Sequence, residues 1–299
     1  PHFKKVKKFK SFVLKQAGWD LKDVQEGKKY RKIRIGKKVY KFVYHRPLNG
    51  QIKTVTIKRD SAGRLWLCFS VIEKINIPEG ISTGKIGGFD FGLVNFLTTD
   101  EGATIESPQY YKRDLPRLRA VQSRVSRKVK QSNNHKAGMW HINRRHICIA
   151  DKRLTHHFRL AHDLCDHYDV LVFEDLNLDA MKRLWGRKIS DLGFSQFVKV
   201  LDWVAFKRDK RVIKISRWER TTGKCNHCGH TQKLELSDRV FECEGCGSML
   251  GRDHNAAINI LEAGHRLILS QSTEVLAVSE AVGVNGRSPL PLGMGSMSQ

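Results

Sequence analysis

Two pairs of closely spaced cysteines constrain the fold of this 299-residue chain more than any other feature. Cys225 and Cys228 form the first pair, Cys243 and Cys246 form the second, and fourteen residues separate the pairs. Four thiolates close a tetrahedral Zn²⁺ site and leave no open coordination position, so we predict a structural zinc ion. A redox-active Cys-x-x-Cys is the alternative, which a second pair at this spacing disfavours.

Three acidic residues lie where predicted buried elements reach the surface. Asp90 belongs to the apolar strand of residues 85–91, Glu174 lies at the end of the apolar strand of residues 169–175, and Asp253 opens the last helix. Carboxylates converge at such ends without being enclosed in the core. Because Mg²⁺ and Mn²⁺ prefer hard oxygen ligands, the three acids suggest a two-metal nuclease site. Taken singly, Asp253 is a favourable helix N-terminal residue and Glu174 a polar strand end.

The charge of the chain indicates a polyanionic partner. The net charge is +24, far more than solubility requires. Residues 108–162 contain 14 lysines and arginines but only two acidic residues. The excess of positive charge in this segment is therefore half of the net charge of the whole chain. Solvated helix faces usually mix both signs, so we predict nucleic-acid contact here, with a solvated basic face as the alternative. The basic residues expected to make this contact are Arg124, Arg127, Lys128, Lys130, Arg144 and Arg145.

The first 75 residues are basic and alternate as strands do, which predicts a small β-barrel or half-barrel. Its first twelve residues interleave lysines with Phe3, Phe9 and Phe12, a pattern that suits gripping a phosphate backbone and stacking on bases. An amphipathic strand with a solvated basic face is the alternative. The lysines concerned are Lys4, Lys5, Lys7, Lys8 and Lys10.

Two long antiparallel helices are predicted after the first acidic strand. Apolar residues recur at helical spacing between residues 115 and 129 and again between 147 and 165, and Val121, Val125 and Val129 are expected to face the core. Beyond about residue 270 the sequence is rich in serine, glycine and proline without periodicity, which predicts a tail.

The remaining composition bears on the compartment. No apolar run approaches the ~18 residues that a membrane span needs, and we recognise no signal-peptide pattern. The cysteines fit metal binding in a reducing compartment better than a disulfide framework. We therefore expect a soluble cytoplasmic protein, associated with the nucleoid of a prokaryotic type of cell and not with a membrane.

The order and composition of these segments resemble the TnpB/OrfB family of insertion-sequence proteins, RNA-guided relatives of the type V CRISPR effectors. The most specific features are the two Cys-x-x-Cys pairs and RD-x-NAA-x-NI within forty residues, preceded by strands that contain FDFG and FEDLN. The resemblance covers residues 1–265. Members usually open with a β-strand and a helical recognition domain, neither of which we recognise in these residues. Members commonly have Asp-Arg-Asp where this chain has Gly251, Arg252 and Asp253.

The resemblance implies an α/β and β architecture. A basic β-barrel-like wedge domain precedes an RNase H-like (RuvC) nuclease domain, which carries a basic helical hairpin and an inserted zinc ribbon. The implied bounds are 1–80 for the wedge domain, 81–270 for the nuclease domain, 108–165 for the hairpin, 218–250 for the zinc ribbon and 271–299 for a poorly structured tail.

The resemblance also implies an activity. A guide RNA and a short flanking DNA motif would direct metal-dependent cleavage of target DNA. Asp90, as the bridging ligand, would hold Mg²⁺ or Mn²⁺ together with Glu174 and Asp253, and Arg252 would contact the cleaved strand. The alternatives are a RuvC-like transposase or resolvase without guide RNA, and a nuclease-dead RNA-guided repressor.

Overall fold

The computed structural model describes residues 9–22, 29–73, 80–235 and 237–282. Lys4, Lys5, Lys7 and Lys8 lie outside the described residues. The strands are β1 (Ser11–Leu14), β2 (Trp19–Lys22), β3 (Tyr30–Ile35), β4 (Lys38–Val43), β5 (Gln51–Arg59), β6 (Leu65–Ile72), β7 (Ile86–Phe91), β8 (Asn95–Thr99), β9 (Thr104–Glu106), β10 (Val170–Glu174), β11 (Arg211–Ile215), β12 (Val240–Glu242) and β13 (Met249–Gly251). The helices are α1 (Tyr110–Ser126), α2 (Asn133–His167), α3 (Leu178–Leu192), α4 (Phe194–Lys207) and α5 (Arg252–Val282).

The chain divides into two compact units. Unit one comprises residues 1–80, 109–161 and 207–209, and unit two comprises residues 81–108, 162–206 and 210–299. Helix α5 continues to Val282 and therefore corrects the predicted start of a tail at residue 271. Among the described residues, no helix has both the length and the apolar character needed to cross a bilayer.

Unit one contains two three-stranded antiparallel sheets, with strand orders β1-β5-β6 and β2-β3-β4. Alternation of apolar and polar residues places Ile33 and Val55 in the interior, where both are fully buried. The rings of Phe42 and Phe69 contact each other with centroids 5.8 Å apart. The described part of the predicted barrel is thus two sheets that are not joined by backbone hydrogen bonds.

The predicted helical hairpin is present as α1 and α2. Leu118, Val125 and Ile142 form its buried core, as helical periodicity predicts. Val129 was expected in this core, but α1 ends at Ser126 and the side chain of Val129 is 79% exposed. The prediction was wrong because the apolar period continues in sequence beyond the last helical turn.

Most of the hairpin groups with the N-terminal sheets in unit one, whereas the sequence assigned it to the nuclease domain. Inside unit one, the hairpin contacts the N-terminal segment through Asn143, whose Nδ2 donates a hydrogen bond of 2.8 Å to the Ser61 carbonyl oxygen. Sequence periodicity predicts a helix and its apolar face, but it carries no information about which distant surface that helix meets.

Unit two is built on a five-stranded sheet with the order β11-β10-β7-β8-β9. Strands β10 and β11 run parallel to β7, and β8 runs antiparallel to its neighbours. On one face, Phe173 stacks on Phe89 and Phe91, and these rings pack against Phe194 and Phe197 of α4. Since side chains alternate along a strand, Gly88 and Asp90 of β7 lie on the opposite face.

Helix α5 packs on that opposite face, and Gly88 makes the close approach possible. A Cβ atom on Gly88 would lie 2.4 Å from the Ala257 carbonyl oxygen and 2.7 Å from the Leu261 Cβ. Gly264 is equally tight against Val172 of β10. The absence of side chains at these two glycines lets the helix lie directly on the central strands and sets the position of its first turn.

We therefore expect Gly88→Ala to destabilise the protein, because the new methyl group meets backbone atoms that cannot rotate away. Overpacking of this kind costs about 1–3 kcal/mol, which urea unfolding of the purified protein would measure. The matched control is Gly186→Ala in α3, where nothing lies within 4 Å of the added Cβ. That change should be neutral or stabilise by up to about 1 kcal/mol. Equal effects of the two changes would contradict the packing described here.

Candidate active site and metal centre

Two of the three predicted acids lie at the C-terminal ends of neighbouring strands of the unit-two sheet, and the third lies at the start of α5. Asp90 lies near the end of β7, Glu174 is the last residue of the parallel strand β10, and Asp253 is the second residue of α5. Phe173 is paired with Phe89, so the next residues along the two strands are Glu174 and Asp90. Segments 84 and 163 residues away from Asp90 in sequence thus supply the other two carboxylates.

Electrostatics show that the three acids interact. Loss of hydration raises the pKa of Asp90 well above its usual range, and the charges of Asp253 and Glu174 raise it further, while Arg252 opposes them. Burial also raises the pKa of Glu174, which the Thr221 hydroxyl opposes by donating to its carboxylate. Repelling carboxylates in a poorly hydrated place are the kind of group that a divalent cation would stabilise in the ionised form.

A buried hydroxyl beside the acids also fits a hydrated cation. Thr98 of β8 lies directly opposite Asp90 in the sheet register and is only 2% exposed. Its Oγ1 has no hydrogen-bond partner within the part of the chain that the structure describes. A buried polar atom rarely stays unpaired, so it fits a site that holds metal-bound water.

Two neighbouring charged residues have partners of their own. The Arg252 guanidinium lies 3.3 Å from the Asp253 carboxylate and donates to the Glu235 carbonyl oxygen. Its expected contact with a cleaved strand stays a prediction. Asp175 forms an ion pair with Arg217. Successive strand side chains point to opposite faces, so we do not count Asp175 as a ligand beside Glu174.

The four cysteines form a compact cluster. Their Sγ atoms all lie within 4.8 Å of one another, and Cys225 and Cys243 are buried. The Cys225–Cys246 and Cys228–Cys243 sulfur distances are 3.9 and 3.5 Å. Zn–S bonds of about 2.3 Å in a tetrahedron require sulfur atoms about 3.8 Å apart. Within the described ranges, no other group of three or more His, Cys, Asp or Glu residues brings its ligand atoms together in this way.

The pKa values of two of the clustered thiols, Cys243 and Cys246, are shifted in opposite directions. Although burial alone would raise the pKa of Cys243, hydrogen bonds from the backbone of Cys246 and Gly245 lower it to about 6. A backbone hydrogen bond from Ser248 lowers the pKa of Cys246, but the neighbouring thiols and burial together raise it to about 12. The first thiolate therefore makes the second harder to form, and a bound cation would remove that conflict.

The module around the cysteines is small and held together by few elements. Strands β12 and β13 pair as an antiparallel ribbon, and Phe241 and Leu234 pack against Cys225 and Cys243. Such a small apolar core supplies little stability by itself, so a metal is the expected stabiliser of this segment.

The sequence analysis missed three polar residues that connect the two candidate metal sites. Thr221, Asn255 and Asn259 are each at most 3% exposed, and all three make hydrogen bonds between the cysteine module and the acid-bearing elements. A signal was present in the sequence, since Asn255 and Asn259 lie four residues apart among the buried Ala256 and Ala257. Two amides on the apolar stripe of a helix require partners, and they indicate a polar contact across that stripe.

The predicted nucleic-acid contacts are placed on the surface of unit one. Arg124, Arg127, Lys128 and Lys130 are exposed at the end of α1 and beyond it, and Lys10 is also exposed. Arg144 lies over the ring of Trp140, and Arg145 forms an ion pair of 3.1 Å with Asp114. Their role in binding nucleic acid stays a prediction.

Two family models match the chain: residues 71–184 match the OrfB_IS605 model, described as "Probable transposase", and residues 194–260 match the model "Cas12f1-like, TNB domain". A curated relative from Streptomyces pristinaespiralis, named "Putative RNA-guided DNA endonuclease", is 33% identical over 221 residues. The resemblance to the TnpB/OrfB family is confirmed. The alignment with that relative covers 73% of this chain and 54% of that protein.

Further similarities to TnpB/OrfB proteins agree with this result. "Putative RNA-guided DNA endonuclease InsQ" of Escherichia coli K12 is 27% identical over 240 residues, which cover 75% of this chain and 59% of that protein. A cryo-EM structure of a Cas12f1–sgRNA–target DNA complex shares the fold, with a TM-score of 0.50, 15% identity, and coverage of 84% of this chain and 59% of that chain. The chain spans little more than half the length of these two curated relatives.

Proposed function

We propose that this chain is an RNA-guided DNA endonuclease of the TnpB type, with an RNase H-like (RuvC) nuclease domain in unit two. The observation that carries the proposal is the convergence of Asp90, Glu174 and Asp253 from three distant segments, with the charges of Asp253 and Glu174 acting on Asp90. The sheet order, with a single antiparallel strand beside the central β7, supports the assignment. Because the relatives are named RNA-guided DNA endonucleases, we infer a guide RNA and DNA as the partners of this chain.

In this proposal the chain's own residues hold and orient the reacting groups. Asp90 would hold the cations from the central strand, while Glu174 and Asp253 would complete the ligand set from the neighbouring strand and from α5. Arg252 holds the Asp253 carboxylate in place. Bound Mg²⁺ or Mn²⁺ would activate water and stabilise charge on the phosphate. Glycine at position 251 removes an acid that relatives commonly have, but leaves these three ligands intact.

The four-cysteine module is proposed to be a zinc ribbon with a structural role. The remaining domain assignment, with a wedge-like nucleic-acid-binding region at 1–80 and a nuclease domain at 81–270, is part of the same proposal. The cryo-EM complex that shares the fold contains sgRNA and target DNA, and we infer that the basic surfaces of this chain bind the corresponding partners.

The deciding experiment is to sequence the RNA that co-purifies with the protein and then to offer a DNA target that matches it. We expect Mg²⁺-dependent cleavage of that DNA and none of a scrambled target. Cleavage that is indifferent to RNA would instead support a resolvase or transposase. Guided binding without cleavage would support a nuclease-dead repressor.

Charge reversal at the end of α1 and just beyond it tests the proposed nucleic-acid surface. Changing Arg124, Arg127, Lys128 and Lys130 to Glu should weaken binding to all sequences alike and flatten the dependence of log affinity on log salt. Each lost phosphate contact removes roughly one unit of that slope. Binding titrations at several salt concentrations measure both quantities.

Two valines provide controls for that experiment. Val129→Ser alters an exposed side chain next to the reversed charges and should change neither folding nor affinity. Val125→Ala alters the hairpin core and should lower stability first. A folded charge-reversed protein that keeps its affinity and its salt slope would show that the basic surplus is a solvated face.

A further inference from the structure

Four hydrogen bonds connect the first turns of α5 to the segment that begins the cysteine module. Asn255 Oδ1 accepts from the Asn226 backbone N–H at 3.0 Å, and Asn255 Nδ2 donates to the Lys224 carbonyl oxygen at 2.7 Å. Asn259 Nδ2 donates to the carbonyl oxygens of Thr221 and Lys224, each at 2.7 Å. Two side chains thus satisfy three backbone groups of one short segment.

That segment contains the first cysteine of the cluster. Lys224 and Asn226 are the residues on either side of Cys225, so the asparagines hold the backbone of a candidate zinc ligand from both sides. Asn255 is fully buried and Asn259 is 3% exposed. Hydrogen bonds at such depth have no water to replace them, which makes the connection rigid and sensitive to substitution.

The same segment also contacts the acids. Thr221 is 3% exposed, and its Oγ1 donates to Glu174 Oε2 at 3.3 Å. Asp253 lies two residues before Asn255 on the same helix. Residues 221–226 therefore contact one acid directly and the helix of the second, and they include one cysteine of the cluster.

We propose that Thr221, Asn255 and Asn259 are positioning residues that make the geometry of Glu174 and Asp253 depend on the four-cysteine module. This inference rests on the proposed function, in which the acids hold divalent cations. Hydrogen bonds from outside the ligand set fix the orientation of metal-binding side chains, and their loss typically lowers metal affinity or activity 10–100-fold. The cysteine module then contributes to cleavage through the metal site as well as through any contact with nucleic acid.

The first test compares Thr221→Val, which removes the hydroxyl at constant shape, with Thr221→Ser, which keeps it. Mn²⁺ affinity of the whole chain without nucleic acid is measured from the EPR signal of free Mn²⁺. We expect Thr221→Val to weaken Mn²⁺ binding about tenfold and Thr221→Ser to restore it to within roughly twofold. Zinc content and melting temperature should match the unchanged protein in both. Unchanged Mn²⁺ affinity in Thr221→Val would overturn the inference.

Glu174→Gln separates this inference from the proposed function. If Glu174→Gln weakens Mn²⁺ binding and Thr221→Val does not, the positioning role is wrong and the acid site stands. If Glu174→Gln leaves Mn²⁺ binding unchanged, the metal site itself is wrong, and the inference fails with it.

The second test addresses the asparagines through hydrogen exchange. Asn259→Ala should speed amide exchange in the first turns of α5 and weaken Mn²⁺ binding, while about one zinc per chain is retained. Asn143→Ala is the matched control, because Asn143 also donates to a backbone carbonyl but lies in unit one. Slow exchange in α5 together with unchanged Mn²⁺ affinity in Asn259→Ala would overturn the role of Asn259.

Discussion

Replacing Asp90 with asparagine is expected to abolish DNA cleavage while leaving RNA and DNA binding nearly intact. The change removes a proposed bridging metal ligand and no phosphate contact, and several kcal/mol of lost charge stabilisation corresponds to at least about 10³-fold in rate. Glu174→Gln and Asp253→Asn should behave alike. Single-turnover cleavage of a target that matches the co-purified RNA measures the loss, and gel-shift titration measures binding.

The same Asp90 variant is expected to keep or raise stability in buffer without divalent cations. Burial and neighbouring charges raise the pKa of Asp90 in the folded chain, so its ionised form opposes folding at neutral pH. Asparagine removes that charge. A higher or unchanged melting temperature together with lost cleavage separates a catalytic role from a structural one.

Asp175→Asn is the matched control for this prediction. Asp175 follows Glu174 directly but pairs with Arg217. Its substitution should change the cleavage rate only a few-fold, as expected for a partly exposed ion pair. Near-normal cleavage by any of the three site variants would remove that acid from the proposed metal site.

Cys243→Ser is expected to release zinc and unfold the cysteine module. Structural zinc sites bind with apparent free energies of about 10–16 kcal/mol, comparable to or greater than the ~5–15 kcal/mol that stabilises a whole domain. The small core around Phe241 cannot replace that contribution. Elemental analysis should fall from about one zinc per chain to none, and limited proteolysis should begin to cut between residues 221 and 251.

Cys68→Ser provides the control, because Cys68 is an exposed cysteine of β6 outside the cluster. It should keep its zinc and its resistance to protease. A Cys243→Ser chain that retains zinc would show that the four thiolates are not the ligand set. Loss of zinc only on changing His227, which lies between Cys225 and Cys228, would show the same.

The groups proposed to bind metals were predictable from sequence because their signals are local. A cysteine pair fixes two ligands within one turn, and an acid at the end of an apolar run marks a strand that reaches the surface. Asp90, Glu174 and Cys225 could therefore be chosen without knowing which strands are neighbours. The parallel pairing of β7 and β10 then follows once both strands are central.

The contacts between distant segments were not predictable in this way. Asn255 and Asn259 stand out as polar residues on an apolar stripe, but their partners are backbone groups some thirty residues earlier. Backbone atoms are the same at every position and leave no trace in a sequence. The prediction that Val129 faces the core was wrong for a related reason, since a periodic pattern does not mark the residue at which a helix ends.

The packing of α5 on β7 has a consequence during synthesis. About 160 residues separate the end of β7 from the start of α5, and at ~5–20 residues per second the ribosome needs roughly 8–32 s to add them. Until then, the face of β7 that carries Gly88 and Asp90 lacks its covering helix. A nascent chain that includes Glu174 but not yet Asp253 therefore holds two of the three acids, and the proposed nuclease site is complete only once the last helix has been made.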